Sequence, residues 1–212
     1  MSRIAIKICG LSTPETVEAA LKGGASHVGF VHFAKSPRHL EIDRLAALAR
    51  RAPDHVGRVA VLVQPDDALL AAIAPHVDIV QLHGDETPER AAAIRARFGR
   101  TLWKAIPVKT RADLAAGSAY AGAVDMLLYD AKTPKGADLP GGMGLRFDWD
   151  LLAGFRPPAP WGLSGGLDAD NVAEAIRITG APLVDVSSGV ESAPGIKDVD
   201  KIAAFCNAVS TC

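Results

Sequence analysis

Aromatic side chains make up only 5% of the 212 residues, and cysteines number three. Cys9, Cys206 and Cys212 are odd in number and far apart. That excludes a disulfide framework and any Cys-x-x-Cys metal site, and it suits a reducing cytoplasm. No apolar run approaches the length of a membrane span, and the opening Met1-Ser2-Arg3-Ile4-Ala5-Ile6-Lys7 lacks a signal peptide's apolar stretch. Neither sign of charge is in excess: 23 Lys and Arg stand against 24 Asp and Glu, a net charge of -1. With no basic cluster either, nucleic acid and anionic membrane surfaces are poor partners. A dinucleotide fingerprint, a Walker loop, a Ser-His-Asp signature and a His/Asp/Glu cluster with metal spacing are all missing, so no metal site is expected. What is present, 49% hydrophobic and 22% charged residues, describes a globular chain with ample core.

Strand and helix patterns alternate from end to end. The first strand, Ile4 to Cys9, is rich in β-branched residues and is stopped by Gly10. A period of two puts Ala5, Lys7 and Cys9 on one face and three isoleucines on the other. Thr13-Pro14-Glu15 then reads as a helix start, with Thr13 as cap and Pro14 in the first helical position. Further strands are expected over His27–Phe33, Arg58–Val63, Asp78–His83, Leu102–Val108, Met126–Asp130, Trp161–Ser164 and Leu183–Ser187. Helical patterns separate them, including one begun by Asp168 and a last one placing Val199, Ile202, Cys206 and Val209 on one stripe. A glycine-rich loop, 131–146, leads to a short helix at Trp149–Leu152. About eight such units without a linker favour a compact (β/α)8 TIM barrel, one α/β domain over residues 1–212, rather than an open doubly wound sheet.

In such a fold, chemistry collects at the carboxyl ends of the strands. Cys9 sits at one such end with Lys7 on its own face, a cation suited to lowering the thiol's pKa. Lys7 needs a partner of its own, and Asp185 has inward parity on the strand that neighbours the first in a closed barrel. Asp130 ends an otherwise apolar strand, where it can face Cys9 and divide acid and base work with it. Gly165-Gly166 and Ser187-Ser188-Gly189 follow the last two strands, where glycines and free amides suit a phosphate. Arg38, in the loop after the second strand, offers a planar fork for a carboxylate. His83 can orient neighbours or touch substrate.

Several stretches, in order, resemble the phosphoribosylanthranilate isomerases of tryptophan biosynthesis. They are Lys7-Ile8-Cys9-Gly10, Ser36-Pro37-Arg38, Gln81-Leu82-His83-Gly84, Leu127-Leu128-Tyr129-Asp130, Gly141-Gly142-Met143-Gly144, Leu163-Ser164-Gly165-Gly166-Leu167 and Val184 to Glu191. The resemblance implies a (β/α)8 barrel that works without cofactor, as monomer or homodimer, on a phosphorylated small molecule. It also implies an Amadori rearrangement, with Asp130 as general acid and Cys9, as thiolate, as general base. Arg38 would then hold the anthranilate carboxylate and the late glycine loops the phosphate. Met143 stands where the family pattern leads one to expect a small hydroxyl residue, and Lys135-Gly136-Ala137-Asp138 lengthens that loop. Two sister barrels fit less well: the histidine-pathway isomerases use an aspartate in place of Cys9, and indoleglycerol-phosphate synthases rely on strand-borne lysines and glutamates. A barrel that binds a phosphorylated ligand without turnover would not need Cys9 and Asp130.

Overall fold

The alternation in the first strand decides what the interior of the molecule contains. In the computed structural model, which describes residues 4–133 and 141–212, that strand is β1 (Ala5–Cys9), and its Lys7 and Cys9 are buried. It is followed by β2 (His27–His32), β3 (Gly57–Leu62), β4 (Ile79–Leu82), β5 (Thr101–Val108), β6 (Met126–Ala131), β7 (Trp161–Leu163) and β8 (Leu183–Val186). Each pairs in parallel with the next, and β8 returns to β1, closing an eight-stranded barrel. Among the described residues seven α-helices accompany it: α1 (Pro14–Lys22), α2 (Ile42–Ala49), α3 (Asp67–Ile73), α4 (Pro88–Phe98), α5 (Arg111–Leu114), α6 (Val172–Thr179) and α7 (Val199–Ser210). Among the described residues between β6 and β7 there is one 3₁₀ turn, Trp149–Leu152.

The apolar residues fall into two clusters, as the strand period requires. The larger lies between barrel and helices and holds Ile6, Ile8, Phe30, Leu45, Leu48 and Phe205. The smaller fills the barrel itself with Cys9, Val59, Val61, Ile79, Trp103, Leu128 and Leu183. Helix starts follow their caps: the Thr13 hydroxyl accepts from the Thr16 amide with Pro14 behind it, and Thr87 does the same for Arg90 ahead of Pro88.

Three local expectations change. The segment after Gly166 does not begin a helix at Asp168. Its carboxylate accepts from the amides of Asp170 and Asn171, and the Asn171 amide group donates to the Gly166 carbonyl at 2.9 Å. These side chains close a turn instead, and α6 starts only at Val172. Val199 begins α7 but is 44% exposed, so the buried stripe is Ile202, Phe205, Cys206 and Val209. Between β8 and α7 lies an antiparallel hairpin, β9 (Glu191–Ala193) and β10 (Ile196–Lys197), turning at Pro194-Gly195, where Gly195 has φ +83°. The Lys135–Asp138 stretch lies outside the described residues.

Candidate active site

The barrel's carboxyl-end loops enclose one cleft of about 810 Å³, its open mouth included. Cys9, Arg38, His83, Asp130, Gly165, Gly166, Ser187 and Ser188 all line it. Gly189 does not. A Cβ there would stand 1.9 Å from the Leu167 carbonyl oxygen, so this glycine serves the close approach of the loops after β7 and β8.

Lys7 and Asp185 stand opposite each other in the β1–β8 register, and the Lys7 ammonium donates to both carboxylate oxygens at 2.9 and 2.8 Å. Alternation along β1 therefore turns Lys7 into the barrel, as its sequence position predicts. Gly29 of β2 makes room for the pair's neighbourhood: a Cβ there would press on the Cys9 sulfur at 3.0 Å and on Cε of Lys7 at 3.2 Å. Burial alone would lower the Lys7 ammonium, but Asp185 and the adjacent Cys9 together hold its pKa above the ordinary value.

For Cys9 the expected direction is reversed. Burial raises the thiol's pKa above its ordinary value, Lys7 and Lys197 pull it down, and the Asp185 carboxylate pushes it further up. Lys7 is adjacent as expected, but desolvation of a thiolate deep in the barrel outweighs it. Of the other cysteines, Cys206 is packed between α7 and α1, its thiol pushed up to about 11 by burial, and Cys212 is exposed.

Asp130 lies at the carboxyl end of β6. Its Oδ1 accepts from the Ala131 amide at 2.8 Å, and its Oδ2 is 3.2 Å from Nε2 of His83. His83 in turn has Nδ1 3.3 Å from the side-chain nitrogen of Gln81. Gly141 lies against this group; a Cβ there would be 2.4 Å from the His83 Nε2 and 3.0 Å from Asp130 Oδ2, so a larger residue would push the His83–Asp130 contact aside. Across the mouth, the Gly142 carbonyl accepts from Arg38 Nη2 at 3.0 Å.

The fork of Arg38 is already engaged. Nε and Nη2 donate to the two carboxylate oxygens of Glu191 at 2.7 and 2.8 Å, a buried bidentate pair, which leaves Nη1 without a hydrogen bond among the described residues. Glu191 also accepts from Lys197 at 2.5 Å, and Lys197 donates to the Ser187 carbonyl at 2.9 Å. Burial would raise the Glu191 carboxyl, but Arg38 and Lys197 hold it below its ordinary value. The hairpin thus ties the Arg38 loop to the loop after β8.

In the loop after β7, beside Asp130, Gly165 and Gly166 take φ of +92° and +64°, conformations open to glycine. Their backbone amides have no hydrogen-bond partner among the described residues. Gln81 and Glu191 stand within stretches that carry the family resemblance and Lys197 outside them, but the sequence patterns give none of the three a site role. The Pro194-Gly195 dipeptide, a turn signal, points to the hairpin that carries Glu191 and Lys197, and Gln81 shares its strand parity with His83.

Known proteins with this architecture are close. A model of the N-(5'phosphoribosyl)anthranilate (PRA) isomerase family matches residues 6–208. The N-(5'-phosphoribosyl)anthranilate isomerase of Zymomonas mobilis subsp. pomaceae is 58% identical over 206 residues, covering 96% of each chain. The crystal structure of the phosphoribosyl anthranilate isomerase from Thermotoga maritima is 33% identical and superposes with a TM-score of 0.88, covering 99% of this chain and 100% of that one. Another such isomerase, solved in complex with reduced 1-(o-carboxyphenylamino)-1-deoxyribulose 5-phosphate, is 31% identical with a TM-score of 0.85 over 99% of this chain and 100% of that one. A barrel closed in this strand order, a thiol and a carboxyl sharing one cleft, and a match running through nearly every element place the chain without remainder: it belongs to the N-(5'-phosphoribosyl)anthranilate isomerase family.

Proposed function

We propose that this chain converts N-(5'-phosphoribosyl)anthranilate to 1-(2-carboxyphenylamino)-1-deoxy-D-ribulose 5-phosphate, an aldose–ketose isomerisation in tryptophan biosynthesis. The observation that carries the reading is that Cys9, Asp130, Arg38 and the Gly165-Gly166 and Ser187-Ser188 loops all line one cleft. Such a cleft offers a guanidinium for a carboxylate, free amides for a phosphate and a thiol and a carboxyl for the sugar that joins them.

Protonated Asp130 gives its proton to the furanose ring oxygen. The C1–O bond breaks as the anilino nitrogen's lone pair moves in, leaving an open-chain iminium. Cys9, as thiolate, removes the proton from C2, and that electron pair forms the enolamine while the nitrogen regains its lone pair. The enolamine tautomerises to the ketone, so protons balance and no electrons leave the substrate. Burial disfavours the Cys9 anion, and Lys7 and Lys197 are the cations that stabilise the thiolate. Arg38 meets the anthranilate carboxylate from its Nη1 side, with Glu191 holding the rest of the guanidinium. The phosphate takes the free amides of Gly165 and Gly166 and those of the Ser187-Ser188-Gly189 loop. His83 touches Asp130 rather than acting as acid itself. The reaction needs no metal or cofactor, and the protein works as a single domain over residues 1–212, as monomer or homodimer in the cytoplasm, without nucleic-acid or membrane partners.

Turnover can be followed by loss of the substrate's anthranilate fluorescence. Cys9→Ala and Asp130→Asn should each lower kcat by about 10²- to 10⁴-fold with little change in substrate affinity. An unchanged kcat for either variant removes that residue from the mechanism.

A further inference from the structure

Gln81 lies inside the barrel on β4, 1% exposed, and lines the cleft. Among the described residues its side chain makes one hydrogen bond, at 3.3 Å to Nδ1 of His83, and its Oε1 has no partner. His83 passes the contact on, with Nε2 3.2 Å from Oδ2 of Asp130. The three side chains form a line from the barrel interior to the carboxyl that gives up a proton.

The protons in that line can be counted. An amide presents either N–H or carbonyl oxygen to an imidazole, and the choice sets the tautomer. If Gln81 donates to Nδ1, that nitrogen carries a lone pair and Nε2 carries the hydrogen. Nε2–H then lies 3.2 Å from Oδ2 of Asp130 and favours the ionised carboxylate, the wrong form for an acid. If the amide presents its oxygen, Nδ1–H donates to it and Nε2 is a bare acceptor. Asp130 then keeps a proton on Oδ2, because an ionised carboxylate facing a bare nitrogen would be repelled. Turning the amide sacrifices no other hydrogen bond, since Oε1 has none to lose among the described residues.

We propose that Gln81 is a positioning residue whose amide oxygen accepts from Nδ1–H of His83 and so keeps the transferable proton on Asp130. The proposal rests on the reading of Asp130 as general acid. Other charged groups face this line, and the Asp185 carboxylate acts on both Asp130 and His83. From β1 and β8 come Cys9 and the Lys7–Asp185 pair, and from the loop after β2 comes Arg38, turned toward Glu191. The strands flanking β4 present Val61 and Trp103, which carry no charge. Lys104 of β5 is bound to the Gly84 carbonyl and to Glu86, and Lys132, beyond β6, to Asp113. None of these supplies the hydrogen that Nδ1 needs to share.

Nitrogen-15 NMR of His83 in the intact enzyme at neutral pH reads the tautomer directly. A protonated Nδ1 is expected; a bare Nδ1 overturns the proposal, whatever the variants do. In Gln81→Leu the ring should adopt Nε2–H. The high-pH limb of the kcat profile, where the acid is lost, should then move down by about one pH unit, the shift that a single hydrogen bond produces. Gln81→Glu, which offers an acceptor oxygen at the same place, should return the limb to its wild-type position or above. A limb unmoved in Gln81→Leu, or moved alike in both variants, shows that Gln81 only fills space. Failure of the acid assignment is seen separately, as turnover that survives Asp130→Asn.

Discussion

Lys7→Met tests the electrostatics of the barrel interior, because it removes the cation and keeps a straight apolar side chain of similar length. The ammonium lies 2.8–2.9 Å from both oxygens of Asp185, and both partners are buried. At an effective dielectric constant of ~20, that separation is worth about 6 kcal/mol of attraction. Desolvation of each ion consumes several kcal/mol, so the intact pair contributes little net stability, whereas losing one member strands the other. Lys7→Met should therefore lose about 3–5 kcal/mol near pH 7. Stranded Asp185 has a folded pKa above its unfolded one. Its contribution to stability is thus complete below the unfolded value, near 4, and is lost as pH rises through the folded value. The loss in urea midpoint should accordingly shrink as the pH is lowered toward 4.

The double variant Lys7→Met/Asp185→Leu removes both charges and should recover most of the stability, since paired hydrophobic replacements often match a buried ion pair. It should not recover activity, because Cys9 has lost the nearer of its two cations. The low-pH limb of kcat, where the base must first lose its proton, should stand at higher pH than in wild type. Urea titrations at several pH values and a pH–rate profile measure both effects. A single variant as stable as wild type at pH 7, with an unmoved low-pH limb, refutes the reasoning.

Arg38→Lys keeps a charge but loses the fork that meets Glu191; KM should rise by about tenfold or more, the worth of one charge-assisted hydrogen bond, and an analogue lacking the carboxylate should be nearly indifferent to the change. Gly189→Ala places a methyl 1.9 Å from the Leu167 carbonyl oxygen. It should cost roughly 1–3 kcal/mol in thermal or urea unfolding, although Gly189 does not line the cleft; an unchanged midpoint would mean that the two loops part easily. Gly166→Val combines a left-handed backbone with a clash against Leu145 and Arg146. Its KM should rise strongly while binding of free anthranilate changes little, and equal loss of both would point to a disturbed fold.

Much of the barrel is legible in the sequence because its signals are local. Alternation along each strand puts Lys7 and Asp185 on inward faces, and adjacency of the first and last strands follows from closure, so their pairing needs no long-range information beyond the strand count. The carboxyl-end positions of Cys9 and Asp130, the glycines after the last two strands and the Thr-Pro helix starts are legible for the same reason. The register of closure and the packing of loops are not local. Only the tertiary structure brings Glu191 to Arg38 across 153 positions of sequence, sets Lys197 beneath Ser187, and packs Gly189 against the loop after β7. It also decides the sign of the Cys9 shift. The sequence shows that a lysine shares the thiol's face, but how much water the barrel excludes depends on seven other strands, and that desolvation outweighs the lysine.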